Sequence, residues 1–348
     1  MELYLQMGHG MQSMAEELIG LWGGGNVIIS PVNITQDRVV GFSRKITSVG
    51  GNILFDPQMF YPKEGHVKLR AYDYWPQEDV SISTENATEE INRELLRLNK
   101  EIGSSAIILP GLEMKEDALT YGLELMNRSA AYFSSKSDLP LFATLCLYPE
   151  TIRNTSVIEV LVEKLRTIPV TGFYIIPHPS NNEYIVSDPL WMIGMLKLLS
   201  CLKLFGKKTI VGYTSHQGLV YALANVDGIA SGTYMNTRSF VPAKFKSPKD
   251  DDIKHKSTWF YLPTALCEYK AALLDVAMQR GYLDSFKPQG VFSNEYSAML
   301  FSGAQPTSTN YKETNSFKHY LYCLKLQCDL LTKQTYKDTY DTYEFMLN

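Results

Sequence analysis

Three histidines and one aspartate occupy positions where short buried strands would end. His9, His178 and His216 each come directly after an apolar run, and Asp56 is the last residue of such a run. A carboxylate beside an imidazole suits general acid–base chemistry, because burial and a neighbouring charge can move both pKa values towards neutrality. We therefore expect Asp56, His178 and His9 to be the catalytic residues.

The elements that must position these residues alternate regularly. Short apolar runs rich in Val, Ile, Leu, Phe or Tyr predict eight strands buried on both faces, at residues 2–6, 26–30, 52–56, 106–109, 141–147, 172–176, 209–213 and 227–231. Stretches of helical periodicity predict seven helices, at residues 11–21, 36–47, 88–102, 115–133, 150–167, 189–204 and 216–224. This count favours an α/β fold that closes into a (β/α)8 barrel of the TIM type over an open, doubly wound sheet. Residues 66–74 are predicted to add an extended segment.

The pattern changes after residue 240. We expect the barrel to occupy residues 1–240, a charged loop to follow at 241–256, and a helical C-terminal extension to occupy 257–348. Within the extension, residues 257–286 and 313–347 are predicted to be long helices. An apolar stripe at 3-4-3 spacing in the second of these predicts packing on the barrel or on another subunit, so that a homo-oligomer is one expectation.

Composition narrows the function classes. The 33 basic and 37 acidic residues give a net charge of −4, which excludes a chain-wide basic surface for nucleic acid. Five scattered cysteines, no apolar stretch of about 18 residues and no signal-peptide pattern predict a cytoplasmic protein without a membrane segment. There is no Walker loop and no GxGxxG. We expect no cofactor and no bound metal.

In a (β/α)8 barrel the functional groups follow the C-terminal ends of the strands. This rule predicts a set of substrate-binding residues, namely Asn33, Gln58, Glu113, Cys146, Tyr148, Tyr213, His216 and Arg238.

The stretch at residues 211–240, VGYTSHQGLVYALANVDGIASGTYMNTRSF, resembles the seventh and eighth strands of the tRNA-guanine transglycosylases, the queuine and archaeosine enzymes. Residues 141–154, 171–180 and 29–33 are similar to other strand ends of that family. The resemblance implies a divergent, DNA-modifying or defence-associated paralogue acting on a 7-deazaguanine or related base. It gives the family's third-strand aspartate role to Asp56, or to Asp73 in a second alignment.

The family's nucleophilic aspartate is not matched, since its position falls on Ala230 or Gly232. Of the family's structural zinc ligands only Cys267 and His319 have counterparts. The resemblance therefore implies cleavage or exchange at an N-glycosidic bond without the usual nucleophile.

Three functions remain open at this stage. The leading one is base exchange or release in tRNA or DNA, with Lys244, Lys246 and Lys249 contacting phosphates, in antiviral defence for example. The second is a non-catalytic barrel that binds nucleic acid, or a partner protein through its C-terminal helices. The third is a small-molecule barrel enzyme, assisted by a metal held by His9, Asp56 and His178.

Overall fold

The computed structural model describes residues 1–64, 66–76, 85–246, 257–332 and 335–347. Most of the predicted charged loop, including Lys249, lies outside the described residues. The described residues form two compact units. One comprises residues 3–246, and the other comprises residues 257–347 together with residues 1 and 2.

Nine short strands of the larger unit form one sheet. They are β1 Glu2–Gln6, β2 Gly25–Ile29, β3 Gly51–Phe55, β4 Ile107–Leu109, β5 Glu113–Met114, β6 Leu141–Leu147, β7 Gly172–Pro177, β8 Lys208–Val211 and β9 Gly228–Ser231. Their order is β3-β2-β1-β9-β8-β7-β6-β4, and the two-residue β5 also pairs with β6. The pairs β1–β2, β2–β3, β4–β6, β6–β7, β7–β8 and β8–β9 are parallel.

The two end strands of this order, β3 and β4, come together and nearly close the barrel. The backbone N–H of Ser105, just before β4, donates to the carbonyl of Ile53 in β3 at 2.9 Å. The Ser105 hydroxyl donates to the same carbonyl at 3.1 Å. The predicted (β/α)8 barrel is therefore confirmed.

Helices follow most strands of the barrel. They are α1 Gln12–Trp22, α2 Gln36–Ser48, α3 Val67–Arg70, α4 Glu85–Ile102, α5 Leu119–Ser134, α6 Pro149–Arg153, α7 Thr155–Arg166, α8 Pro189–Leu204 and α9 Met235–Arg238. Their buried residues recur at helical spacing, as Val39, Phe42 and Ile46 do in α2, so each helix presents an apolar face to the sheet. No helix among the described residues combines the length and the apolar character needed to cross a membrane.

Local hydrogen bonding explains three departures from the predicted elements. The segment at 66–74 is helical at α3, because His66 Nδ1 accepts the backbone N–H of Lys68 and caps the helix. The predicted helix at 150–167 is broken at Asn154, whose side chain accepts from the backbone of Val157 and begins α7. Residues His216–Ala224 form a 3-10 helix and not an α-helix.

The smaller unit contains helices and one hairpin. Its strands are β10 Trp259–Leu262 and β11 Cys267–Lys270, and its helices are α10 Ala271–Gln279, α11 Glu295–Ala298, α12 Glu313–Leu330 and α13 Tyr336–Leu347. The prediction of one helix over 257–286 is wrong, because β10 and β11 pair antiparallel. Pro263 ends the first strand, and Leu266 turns the chain with a φ of 46°.

One histidine is fully buried in this smaller unit. His319 stacks on Phe260 with 5.1 Å between ring centroids. Its Nε2 lies 2.8 Å from the carbonyl oxygen of Tyr261, so Nε2 carries the proton and donates. Its Nδ1 accepts from the Asn294 amide at 2.9 Å. Burial lowers the pKa of His319 from 6.5 to about 4, so the folded protein keeps the ring neutral.

This neutral ring predicts acid sensitivity. The unfolded chain takes up a proton near pH 6.5 and folded His319 does so only near pH 4, so its contribution to stability is complete above pH 6.5 and is lost as the pH falls. At pH 5 the loss is about 2 kcal/mol. Urea unfolding of His319→Gln and wild type at several pH values tests this: the wild-type advantage should shrink on acidification. An equal change for the exposed control His9→Gln would contradict it.

Candidate functional site

The strand period of two decides which side chains enter the barrel. Tyr4, Ile28, Leu54 and Tyr174 belong to the cluster that fills its interior. Asp56 lies two residues beyond Leu54, so it points inwards at the C-terminal end of β3. We call this end of the barrel, where all the parallel strands finish, the mouth.

Asp56 is 0% exposed and is held by three hydrogen bonds. Its Oδ1 accepts from the backbone N–H of Gln58 at 3.0 Å. Its Oδ2 lies 3.1 Å from the phenol of Tyr213 and 3.3 Å from that of Tyr174. Strand β7 and the segment after β8 thus meet β3 at one carboxyl group.

The same hydrogen bonds continue into neighbouring strands. The Tyr174 phenol also lies 2.8 Å from Gln6 Oε1 at the end of β1. The Gln58 amide donates to the phenol of Tyr213 at 2.9 Å and to Ser30 Oγ at 2.6 Å. We call these residues the Asp56 network, comprising Gln6, Ser30, Asp56, Gln58, Tyr174 and Tyr213.

The backbone is constrained where this network forms. Gln58 and Tyr213 have φ values of 53° and 50°, in the left-handed region that few non-glycine residues adopt. Gly212 precedes Tyr213, and a Cβ there would lie 2.6 Å from the hydroxyl of Tyr174. Such strain persists only where the surrounding contacts impose it, and it concentrates at functional sites.

Burial dominates the electrostatics of Asp56. It raises the pKa of this carboxyl from 3.8 to about 7, although the three hydrogen bonds favour the ionised form and oppose the shift. Three phenylalanines add to the enclosure. Phe240 and Phe245 stack at 5.2 Å, and both contact Phe60 and Tyr213 edge-on. Asp56 is therefore shielded from water in this conformation.

A second cluster lies at the mouth, around Glu113 in β5. The phenol of Tyr61 donates to Glu113 Oε1 at 2.5 Å. The same oxygen lies 4.0 Å from Nδ1 of His178, the residue after β7. The Glu113 side chain is 13% exposed and that of His178 is 10% exposed, so a carboxylate and an imidazole face each other in a mostly dry place. We call Glu113 and His178 the mouth pair.

Neither ring nitrogen of His178 has a hydrogen-bond partner among the described residues, and both are buried. The ring lies 5.4 Å from the ring of Tyr148 and 5.5 Å from that of Phe240. Burial lowers the pKa of His178, while the negative charges of Glu113 and Glu150 act in the opposite direction. The ring is thus poised as a neutral base beside a carboxylate.

Two lysines flank the mouth pair. Lys115 Nζ lies 4.8 Å from the centre of the Tyr148 ring, and Lys246 Nζ lies 4.4 Å from that of Tyr61. Of the lysines predicted to contact nucleic acid, Lys246 is therefore at the mouth, and Lys244 is exposed.

The remaining predicted site residues have varied surroundings. His9 is exposed, and Cys146 is fully buried in the barrel interior, where burial raises its thiol pKa well above its usual range. The Asn33 amide donates to Ser30 Oγ at 3.0 Å, at the edge of the Asp56 network.

His216 is 6% exposed at the start of its 3-10 helix, with its ring 6.4 Å from that of Tyr184. Buried Arg238 donates from Nε to the carbonyl of Gly232 at 2.9 Å.

Asp73, the alternative to Asp56, does not enter the barrel. Its carboxylate is exposed and binds Arg97 of α4 and the side chain of Gln36 of α2. It therefore ties helices together on the outside, while Asp56 occupies the interior.

Four residues of the site were missed by sequence reasoning. Gln6 and Tyr174 continue the inward-facing period of β1 and β7, and this signal could have identified them. Tyr61 and Lys115 lie in loops, where no periodicity marks them.

The metal-assisted arrangement of His9, Asp56 and His178 does not form. Among the described residues, no three His, Cys, Asp or Glu side chains are grouped so that they could hold a metal ion.

The fold and the site define a (β/α)8 barrel with a carboxylate–imidazole pair and a buried carboxyl network at its mouth. No family model matches the chain, and no curated protein matches it.

Solved structures with similarity to the chain include three barrel enzymes by title. One is an HpcH/HpaI aldolase/citrate lyase family protein from Burkholderia cenocepacia, with 11% identity, a TM-score of 0.37, and coverage of 66% of this chain and 86% of that one. Another is N-acetylneuraminate lyase from Mycoplasma synoviae, with 12% identity, a TM-score of 0.39, and coverage of 67% and 69%. The third is 3-dehydroquinate dehydratase from Aquifex aeolicus, with 12% identity, a TM-score of 0.37, and coverage of 70% and 94%.

The expected relationship to the tRNA-guanine transglycosylases is wrong, and so is the expected action on a nucleobase. No family model matches the chain, and the similar structures are titled as aldolase, lyase and dehydratase. The geometry agrees with this correction. Ala230 packs in the barrel interior with no carboxylate at the end of β9, and Phe60, Phe240 and Phe245 fill the mouth.

The raised pKa of Asp56 predicts a stability effect opposite in sign to that of His319. Between pH 3.8 and about 7 the unfolded chain has released a proton that folded Asp56 retains, so stability falls as the pH rises. At neutral pH this costs about 4 kcal/mol. Asp56→Asn keeps the hydrogen bonds and removes the titration. Its free energy of unfolding should therefore gain on wild type as the pH is raised.

The measurement is urea unfolding of both proteins between about pH 4 and pH 7. Exposed Asp73→Asn is the matched control, because a surface ion pair contributes only about 0–1 kcal/mol. A constant difference between Asp56→Asn and wild type across this range would show that Asp56 does not retain its proton.

Proposed function

We propose that this chain is a small-molecule enzyme that catalyses proton transfer at the barrel mouth, with His178 as the group that moves the proton. The observation that carries the proposal is the state of its ring: both nitrogens are buried and unpartnered among the described residues, beside the carboxylate of Glu113. Buried polar atoms in folded proteins are nearly always hydrogen-bonded. An imidazole held in this way favours a role in which a ligand supplies the missing partner.

Glu113 is suited to support that role. Its Oε1 faces Nδ1 of His178 and is fixed by the phenol of Tyr61. When Nε2 takes a proton, the ring becomes positive, and the nearby carboxylate stabilises it. The present separation of 4.0 Å is longer than a hydrogen bond and shortens by a small rotation of either side chain.

The proposed reaction removes a proton from a carbon next to a carbonyl group. His178 Nε2 takes the proton, and the electron pair left on carbon delocalises onto the carbonyl oxygen. The positive charges of Lys115 and Lys246 favour the negative charge that develops. Return of a proton from the imidazolium to the carbon restores a neutral ring, so all atoms and charges balance.

We assign Asp56 a positioning role in this site. Its network fixes Tyr213, which packs on Phe240 with 5.5 Å between ring centroids. Phe240 in turn packs on His178 at 5.5 Å. The buried carboxyl thus acts on the imidazole through two aromatic rings and does not touch the substrate.

Deuterium exchange tests the function without knowledge of the natural substrate. Wild type in heavy water is incubated with a panel of small ketones, 2-oxo acids and phosphorylated ketones, and the loss of C–H signals is followed by proton NMR. We expect exchange in at least one compound, with a pH midpoint below 6.5 because burial lowers the pKa of His178. His178→Asn should reduce the rate by about 100-fold or more.

His9→Asn is the matched control, since His9 is an exposed histidine that also follows a strand. It should exchange at the wild-type rate. Exchange that survives in folded His178→Asn, or its absence from every compound with folded wild type, would overturn the proposal.

A further inference from the structure

The two lysines at the mouth have different charge partners. Lys246 Nζ lies 3.6 Å from Glu64 Oε1, and the Lys246 side chain is 38% exposed. Lys115 is exposed and forms no ion pair with any described residue. Each ammonium nevertheless lies over a tyrosine that contacts one member of the mouth pair: Lys246 over Tyr61, and Lys115 over Tyr148. The two cations therefore bracket Glu113 and His178.

The charges facing His178 come from several elements. Glu113 and Glu150 supply negative charge, and Lys246 and Lys115 supply positive charge. The aromatic neighbours Tyr148 and Phe240 are neutral. Glu113 faces Nδ1 and is bound to Tyr61, so its charge lies on one edge of the imidazole. Nε2 is on the opposite edge and has no partner among the described residues.

An anionic group on the Nε2 edge would satisfy all three features. It would give Nε2 a partner, give Lys115 a counter-ion, and share the charge of Lys246 with Glu64. Lysine is an effective point charge for carboxylate and phosphate oxygens, and hydrogen bonds between charged groups are about twice as strong as neutral ones.

We propose that the barrel mouth binds the carboxylate or phosphate group of a small ligand between Lys115 and Lys246, on the Nε2 edge of His178. This inference rests on the proposed function of the mouth and specifies its substrate class as an anionic small molecule. Because Nε2 is covered in this conformation, Tyr148 or Lys246, both half-buried, must move when the ligand enters.

Binding of the anion is linked to a proton. An anion on Nε2 stabilises the imidazolium form of His178, so the complex takes up a proton that the free protein does not hold at neutral pH. Glu113, Glu150 and the two lysines keep their charges over this range, and Tyr148 stays neutral. Affinity for the anion should therefore rise as the pH falls from about 8 to about 6.

Calorimetric titration with two probes, inorganic phosphate and oxalate, tests the site at constant ionic strength. We expect the full-length protein to bind at least one of them with a Kd of about 1 mM or below. Lys115→Met and Lys246→Met should each weaken binding about tenfold. The stronger probe distinguishes a phosphate site from a carboxylate site. With oxalate, the gain in affinity at low pH should disappear in His178→Asn.

Lys136→Met is the matched control, because Lys136 Nζ lies 4.7 Å from the ring of Tyr132 just after α5, before strand β6 begins. It should bind as wild type does. Absence of binding below about 10 mM, or equal weakening by Lys136→Met, would overturn the anion site. Oxalate binding without deuterium exchange would overturn the proton-transfer function and leave the anion site standing. Exchange without binding of either probe would do the reverse.

Discussion

The buried carboxyl of Asp56 is the constraint on which the mouth of this barrel depends. A charge without water must be neutralised or surrounded by donors, and here the phenols of Tyr174 and Tyr213 and a backbone N–H do so together. These bonds join β3 to β7 and to the segment after β8, and Gln58 and Tyr213 adopt left-handed backbone to make them. A group that lowers stability at neutral pH and yet organises three strands fits a protein that gives up stability for a defined site.

The mouth has two layers with different properties. The lower layer is the Asp56 network, closed and almost fully hydrogen-bonded. The upper layer is the mouth pair with its two lysines, where polar atoms remain without partners and charge is accessible. Phe240 contacts both layers through His178 and Tyr213. This division assigns geometry to the buried residues and chemistry to the accessible ones, as expected when a rigid scaffold positions catalytic groups.

Sequence reasoning predicted the barrel because its signals are local. Strands buried on both faces leave apolar runs, and each helix needs an apolar face. The same reasoning placed Asp56 and His178 at strand ends, where they lie. It failed for residues 257–270, where Pro263 and the turn at Leu266 produce a hairpin from aromatic residues that also suit a helix. It also failed in the proposed family, because similar strand ends recur in barrels with unrelated chemistry.

The sequence by itself determined the strand and helix order, the barrel and the polar residues available at its mouth. Only the tertiary structure decided which of those residues meet. His9 and Asp56 both end a β-strand run, but one is exposed and the other is 0% exposed. Tyr61, Glu113 and His178 come from three distant segments, and their contacts depend on sheet register and on how loops fold over the barrel. Local periodicity carries no information about such contacts, because they arise only when strands far apart in the chain close into one ring.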